Sequence, residues 1–139
     1  MASNARFKID IYGDTTKFEN SLKGINTAMS SLKSEASQLK RELKLDPTNT
    51  SKMAQLQKNL QQQLKLTKDK SAQLREDLSK IDKSTPEGAK QFVKLSKQLQ
   101  DNSIKAQYLE KDIEEVDSAI KRGSWKADLD TAPAEKKVS

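Results

Sequence analysis

Cysteine and histidine are absent from this chain of 139 residues. Their absence excludes a disulfide framework, thiol chemistry and zinc sites built from those two side chains. It also removes the two side chains that most often serve as nucleophile or base near neutral pH. Proline occurs three times and glycine four times, which leaves little sequence for loops. Aromatic residues make up only 4%. Uninterrupted apolar runs never exceed two residues, so no segment reads as a signal peptide core or as a helix able to span a bilayer.

What is present is charge and apolar periodicity. Charged residues account for 33% of the chain and apolar residues for another 33%, a balance normal for long helices and low for a globular enzyme. The net charge of +6 is spread along the chain rather than gathered. Residues 1–50 carry eight basic and six acidic side chains, residues 51–82 seven and four, and residues 83–139 eleven and ten. An evenly basic surface reads as solvation; a nucleic-acid binder more often concentrates its charge in one patch.

Three apolar stripes alternate steps of three and four, the mark of a helix with one buried seam. The first runs from Phe18 through Leu22, Ile25, Met29, Leu32, Ala36 and Leu39 to Leu43. The third runs from Phe92 through Leu95, Leu99, Asn102, Ala106, Leu109, Ile113 and Val116 to Ile120. Between them a less regular stripe runs from Met53 to Ile81, with two steps of four in succession at Leu56, Leu60 and Leu64.

Local signals divide the stripes. Pro47 lacks an N–H and drives Asp46 out of the helical region. Asn49, Thr50 or Ser51 can cap the second helix. Thr85, Pro86 and Glu87 form a helix start, and Gly123 a helix stop behind Lys121 and Arg122. Helices are expected over about 16–45, 50–83 and 86–122. Residues 6–12, Arg-Phe-Lys-Ile-Asp-Ile-Tyr, alternate apolar with polar, which predicts a short strand ended by Gly13. Thr16 with Glu19 makes a capping box for the first helix.

Folding the chain back at residues 46–49 and again near residue 84 aligns the stripes layer by layer. Phe18 then faces Leu78, Leu22 faces Leu74, Leu32 faces Leu64 and Leu43 faces Met53. On the other side Leu74 faces Leu99, Ser71 faces Asn102, Leu64 faces Leu109 and Leu60 faces Ile113. Ser71 and Asn102 share a layer, where a hydroxyl can satisfy a buried amide and fix the register. The expected fold is mostly α: an antiparallel up-down-up three-helix coiled-coil bundle over residues 1–123, preceded by one short strand. Residues 124–139 are expected to form a mobile tail or linker.

Candidate sites are few. A single strand cannot stand alone, so Phe7, Ile9 and Ile11 mark an edge for a partner or a second copy. Trp125, just past Gly123, is either an anchor for a partner or a cap on the bundle end. Glu110, Asp112, Glu114, Glu115 and Asp117 cluster on the third helix; a solvated acidic face explains them better than a divalent-cation site. Gly13-Asp14-Thr15-Thr16 lacks the glycines and lysine of a phosphate loop and reads as capping. Tyr12 and Tyr108 have no neighbours that suggest catalysis. No cofactor, no metal and no enzymatic activity is expected.

Two segments resemble a known family. Ile9-Asp10-Ile11-Tyr12-Gly13-Asp14-Thr15-Thr16, with Phe18 and Leu22 just beyond, looks like the start of bacteriophage tail tape measure proteins. Leu43-Lys44-Leu45-Asp46-Pro47-Thr48-Asn49-Thr50 looks like the turn joining two long helices in that family. The resemblance covers residues 7 to about 120. It implies a structural protein of the virion that takes part in tail length determination and tail assembly. It implies phage tail tube and tail assembly chaperone proteins as partners; self-association through the N-terminal strand is expected from that strand's unpaired edge. It places the protein in the host bacterial cytoplasm during assembly and then in the lumen of the virion tail. Members of the family run to many hundreds of residues, so an N-terminal fragment or a shortened product is expected here. The competing readings are a generic coiled-coil adaptor and a weak nucleic-acid binder; no specific nucleic acid is expected.

Overall fold

The computed structural model describes residues 2–126, with side chains described from Leu22 onward. The described residues form three helices: α1 (Ala2–Leu45), α2 (Thr50–Ser79) and α3 (Pro86–Arg122). At 1.5 Å per residue α1 is about 66 Å long, against about 45 Å for α2 and about 55 Å for α3.

Each boundary has a local cause. The Asp46-Pro47 step ends α1, and Asn49 opens α2 by accepting a hydrogen bond from the Lys52 amide at 3.0 Å. Asn49 Nδ2 also donates to the Asp46 carboxylate at 3.1 Å, so one side chain ties both helix ends together. The second helix stops at Ser79 rather than near residue 83. The Asp82 carboxylate accepts from the Ser84 amide at 2.9 Å and from its hydroxyl, and this turn takes up the residues expected to be helical. Those bonds hold the Asp82 carboxyl below its ordinary range. Thr85 caps α3 by accepting from the Gly88 amide at 2.9 Å, with Pro86 at the first helical position. Gly88 sits hard against the preceding turn: a Cβ there would lie 1.8 Å from the Asp82 carbonyl oxygen. At the far end Gly123 adopts φ 77°, and its amide donates to Ala119 O at 2.8 Å and Ile120 O at 3.1 Å. That is the left-handed stop a glycine permits.

The N-terminal strand is not formed. Residues 6–12, with Phe7, Ile9 and Ile11, lie inside α1, which runs on through Gly13 and Thr16. A strand needs a neighbour to accept its backbone hydrogen bonds, and no strand is found among the described residues to provide one. A helix closes those bonds within itself, and Phe7 and Ile11, four apart, fit its period as well as they fit alternation.

Helix α2 is central. Helices α1 and α3 each run antiparallel along it and approach one another far less closely. Cross-links at several heights show the alignment. Lys52 meets Glu42, Asn59 meets Leu32 and Glu35, and Lys70 meets Asn26 on the α1 side. Gln57 meets Asp117, and Asn102 meets Thr67 and Ser71, on the α3 side. Among the described side chains the apolar core is divided in two. A larger cluster at the Pro47 end joins Ala36, Leu39, Leu43, Met53, Leu56, Leu60, Val116, Ala119 and Trp125. A smaller one near the α2–α3 turn joins Leu22, Leu74 and Leu95.

Candidate interaction surface

Between the two apolar clusters lies a polar waist. Asn59, Gln63, Thr67 and Ser71 recur every four residues on the buried face of α2. Asn59 Nδ2 donates to the Leu32 carbonyl at 2.9 Å and to Glu35 at 2.7 Å on α1. Gln63 donates to Asn59 Oδ1 at 2.6 Å, and the Thr67 hydroxyl donates to the Gln63 carbonyl at 2.8 Å. From α3, Asn102 Nδ2 donates to Thr67 O at 2.6 Å and to Ser71 Oγ at 2.8 Å. Buried amides satisfied this way cost little in place and much if slipped, so the ladder holds all three helices in one register. The Ser71–Asn102 layer follows from the seams. Asn59 and Gln63 lie off the apolar stripe; the two steps of four at Leu56, Leu60 and Leu64 rotate the seam and signal their burial.

At the Pro47 end the chain past α3 folds back onto the turn between α1 and α2. The Trp125 amide donates to the Pro47 carbonyl at 2.7 Å, and its ring is 5% exposed within the larger cluster. The indole Nε1–H is buried with no hydrogen-bond partner among the described residues. Beside this turn Lys52 and Glu42 form an ion pair at 2.8 Å. Hydrogen bonds from Lys52 and then Gln38 hold the half-exposed Glu42 carboxyl below its usual range.

The remaining candidates have simpler settings. Phe7, Ile9 and Ile11 are helical positions of α1 whose side chains lie outside the described residues, as does that of Tyr12. Gly13-Asp14-Thr15-Thr16 lies within α1 and opens no helix. Tyr108 is half-buried on α3. In the acidic cluster Asp117 pairs with Lys121 at 3.0 Å and accepts from Gln57 at 3.5 Å; the Lys121 bond holds its carboxyl below the usual range. Among the described residues no group of three or more ligating side chains could hold a metal ion. None of the helices, among the described residues, is long and apolar enough to cross a membrane. On the flank of α2, Lys70 donates to Asn26 Oδ1 at 3.0 Å. Burial, and then the charges of Lys105 and Lys33, push its ammonium below lysine's ordinary range. Residues 127–139, expected to be tail, lie outside the described residues.

No family model matches this sequence, and no solved structure matches it. Three phage proteins do. The probable tape measure protein of Lactococcus phage SK1 is 75% identical over 59 residues, 42% of this chain and 6% of that protein. The tape measure protein of Lactococcus phage F4-1 is 73% identical over 59 residues, 42% of this chain and 16% of the relative. The probable tape measure protein of Lactococcus phage p2 is 71% identical over 55 residues, 40% of this chain and 6% of the relative. The match thus spans a small fraction of each relative's length. Identity this high over more than fifty residues marks a tape measure protein region of a phage tail within this chain.

Proposed function

We propose that this chain is a non-enzymatic structural and assembly module of a phage tail tape measure protein, taking part in tail length determination and tail assembly. The observation that carries this reading is the identity of 71–75% to three proteins of that name. The helical architecture supports it. The described chain invests its apolar residues in long seams and a register-fixing ladder, a design for holding shape and contacts. Its longest helix reaches only about 66 Å. The chain therefore contributes a stiff element and contact surfaces, and most of the ruler lies in sequence beyond the matched stretch. Its partners in this reading are the tail tube and tail assembly chaperone proteins. It works first in the host bacterial cytoplasm and then in the tail lumen.

Affinity capture from phage-infected cells with the tagged chain tests the reading. Recovery of tube or chaperone protein is expected; recovery of neither, at a bait level that captures the chain itself, overturns it. A complementary test deletes whole heptads from α2 and α3 within the parent gene. Tails that shorten with each deletion mark a ruler element, and failure of tails to form marks an assembly contact.

A further inference from the structure

Helix α3 segregates its charges along its length, and part of that pattern lies on its outer face. Residues 89–105 carry four lysines and one aspartate, and residues 110–117 carry five acidic side chains and one lysine. Lys94 and Lys97 from the basic half and Glu114 from the acidic half are exposed, and Glu115 is half-exposed. None of these four has an ion-pair partner among the described residues. The same face holds two of the three large apolar side chains that stand exposed in the described chain, Val93 at 67% and Ile104 at 42%. Val93, Lys97, Ile104 and Glu114 follow helical spacing on the side opposite the buried Leu95, Asn102 and Val116.

We propose that this face is an isologous docking surface for a second copy of the chain, α3 packing antiparallel on α3 about a two-fold axis beside Ile104. A two-fold lays the basic half of each helix along the acidic half of the other. With the axis level with residue 105, Lys94 and Lys97 of one copy stand within about one residue, 1.5 Å along the helix, of Glu115 and Glu114 of the second. Ile104 meets its own copy near the axis, and Val93 packs over the small Ser118. The contact runs over about 32 Å of helix, from residue 94 to residue 115. A polyanion is a poor occupant, because the acidic half repels it. A uniformly charged protein partner would satisfy only one half. Self-complementarity of sign on one helix selects the second copy. The area is small and its rim charged, so the dimer is weak, reversible and sensitive to salt.

Sedimentation velocity on the full chain over a range of concentrations, at low and at high salt, provides the test. A monomer–dimer equilibrium that weakens with salt is expected. One variant, Lys94→Glu with Lys97→Glu, makes these four contact positions all acidic; another, Glu114→Lys with Glu115→Lys, makes them all basic. Each alone associates at least about tenfold more weakly than the parent. Mixed in equal amounts they form a heterodimer, because each supplies the sign the other lacks. Ile104→Cys in this cysteine-free chain gives a disulfide-linked dimer on mild oxidation, whereas Ala72→Cys on the outside of α2 does not. A parent chain that stays monomeric at every concentration overturns the proposal. So does a dimer that both variants preserve, or a mixture that fails to associate while both keep their helical circular dichroism. If a charge variant loses helicity, the Ile104→Cys and Ala72→Cys pair decides alone, and equal cross-linking of the two rejects the surface.

Discussion

The two ends of the bundle are built differently. At the Pro47 end nine buried side chains from all three helices and the segment past α3 converge, with Leu43 and Met53 fully enclosed. At the other end, among the described side chains, Leu22, Leu74 and Leu95 are buried together, with Leu78, Ile81 and Leu99 packed at the margin. That end relies on backbone geometry, namely the Asp82–Ser84 turn, the Thr85 cap and the contact of Gly88 with Asp82. Among the described residues one end is held by apolar volume and the other by a tight turn, with the hydrogen-bonded waist between them. Apolar burial needs many partners from distant sequence; a capped turn needs only its neighbours.

The largest effect expected comes from the volume-rich end. Leu43→Ala should cost about 3–5 kcal/mol in urea unfolding, and Leu22→Ala at the lean end about 2–3 kcal/mol, because a better enclosed site leaves a larger residual cavity. Equal losses would break the contrast. Next, Gly88→Ala should cost about 3 kcal/mol, since the new methyl must displace the Asp82 carbonyl. Amide exchange should quicken first around residues 80–90, while residues near Pro47 stay protected; uniform quickening would show that the two ends melt as one unit. Asn102→Ala comes third, at about 1–3 kcal/mol, because Ser71 loses its buried partner. Asn102→Leu should restore much of that stability and loosen the register, read as a broader distribution of spin-label distances between α2 and α3.

The smallest effect is in acid. Glu42 and Asp117, bonded to Lys52 and Lys121, have folded-state pKa values below their ordinary values of 4.5 and 3.8. A depressed carboxyl stabilises the fold above its ordinary pKa, and that contribution fades as pH falls through the lower folded value. The melting temperature should therefore be flat from neutrality to about pH 5 and decline below that. Lys52→Met should flatten the decline only slightly, since the pair is half-exposed and partly screened.

Much of this architecture is legible in the residues because its causes are short-range. Pro47 with Asn49, Thr85 with Pro86, and Gly123 each act within three or four residues, and the helix ends at Leu45, Thr50, Pro86 and Arg122 result from them. The heptad steps place Leu22 with Leu74, and Ser71 with Asn102, without knowledge of the fold. Residues 6–12 are ambiguous, since a short alternating run also fits a helical period. The choice between the two rests on whether a second strand exists to pair with. Trp125 offers two roles of equal chemistry, and its burial against Pro47 depends on a turn far earlier in the chain.

Composition and pattern alone determined that this chain makes long amphipathic helices, where they break, and which stripe of each turns inward, because helix propensity, capping and periodicity are properties of neighbouring residues. Only the tertiary structure decided that α2 is the shared central helix, that Asn59 and Gln63 complete a polar ladder, that Gly88 has no room for a side chain, and that Trp125 closes the Pro47 end. Each of those depends on which distant atoms arrive at the same place, and packing in three dimensions, not adjacency along the chain, sets that.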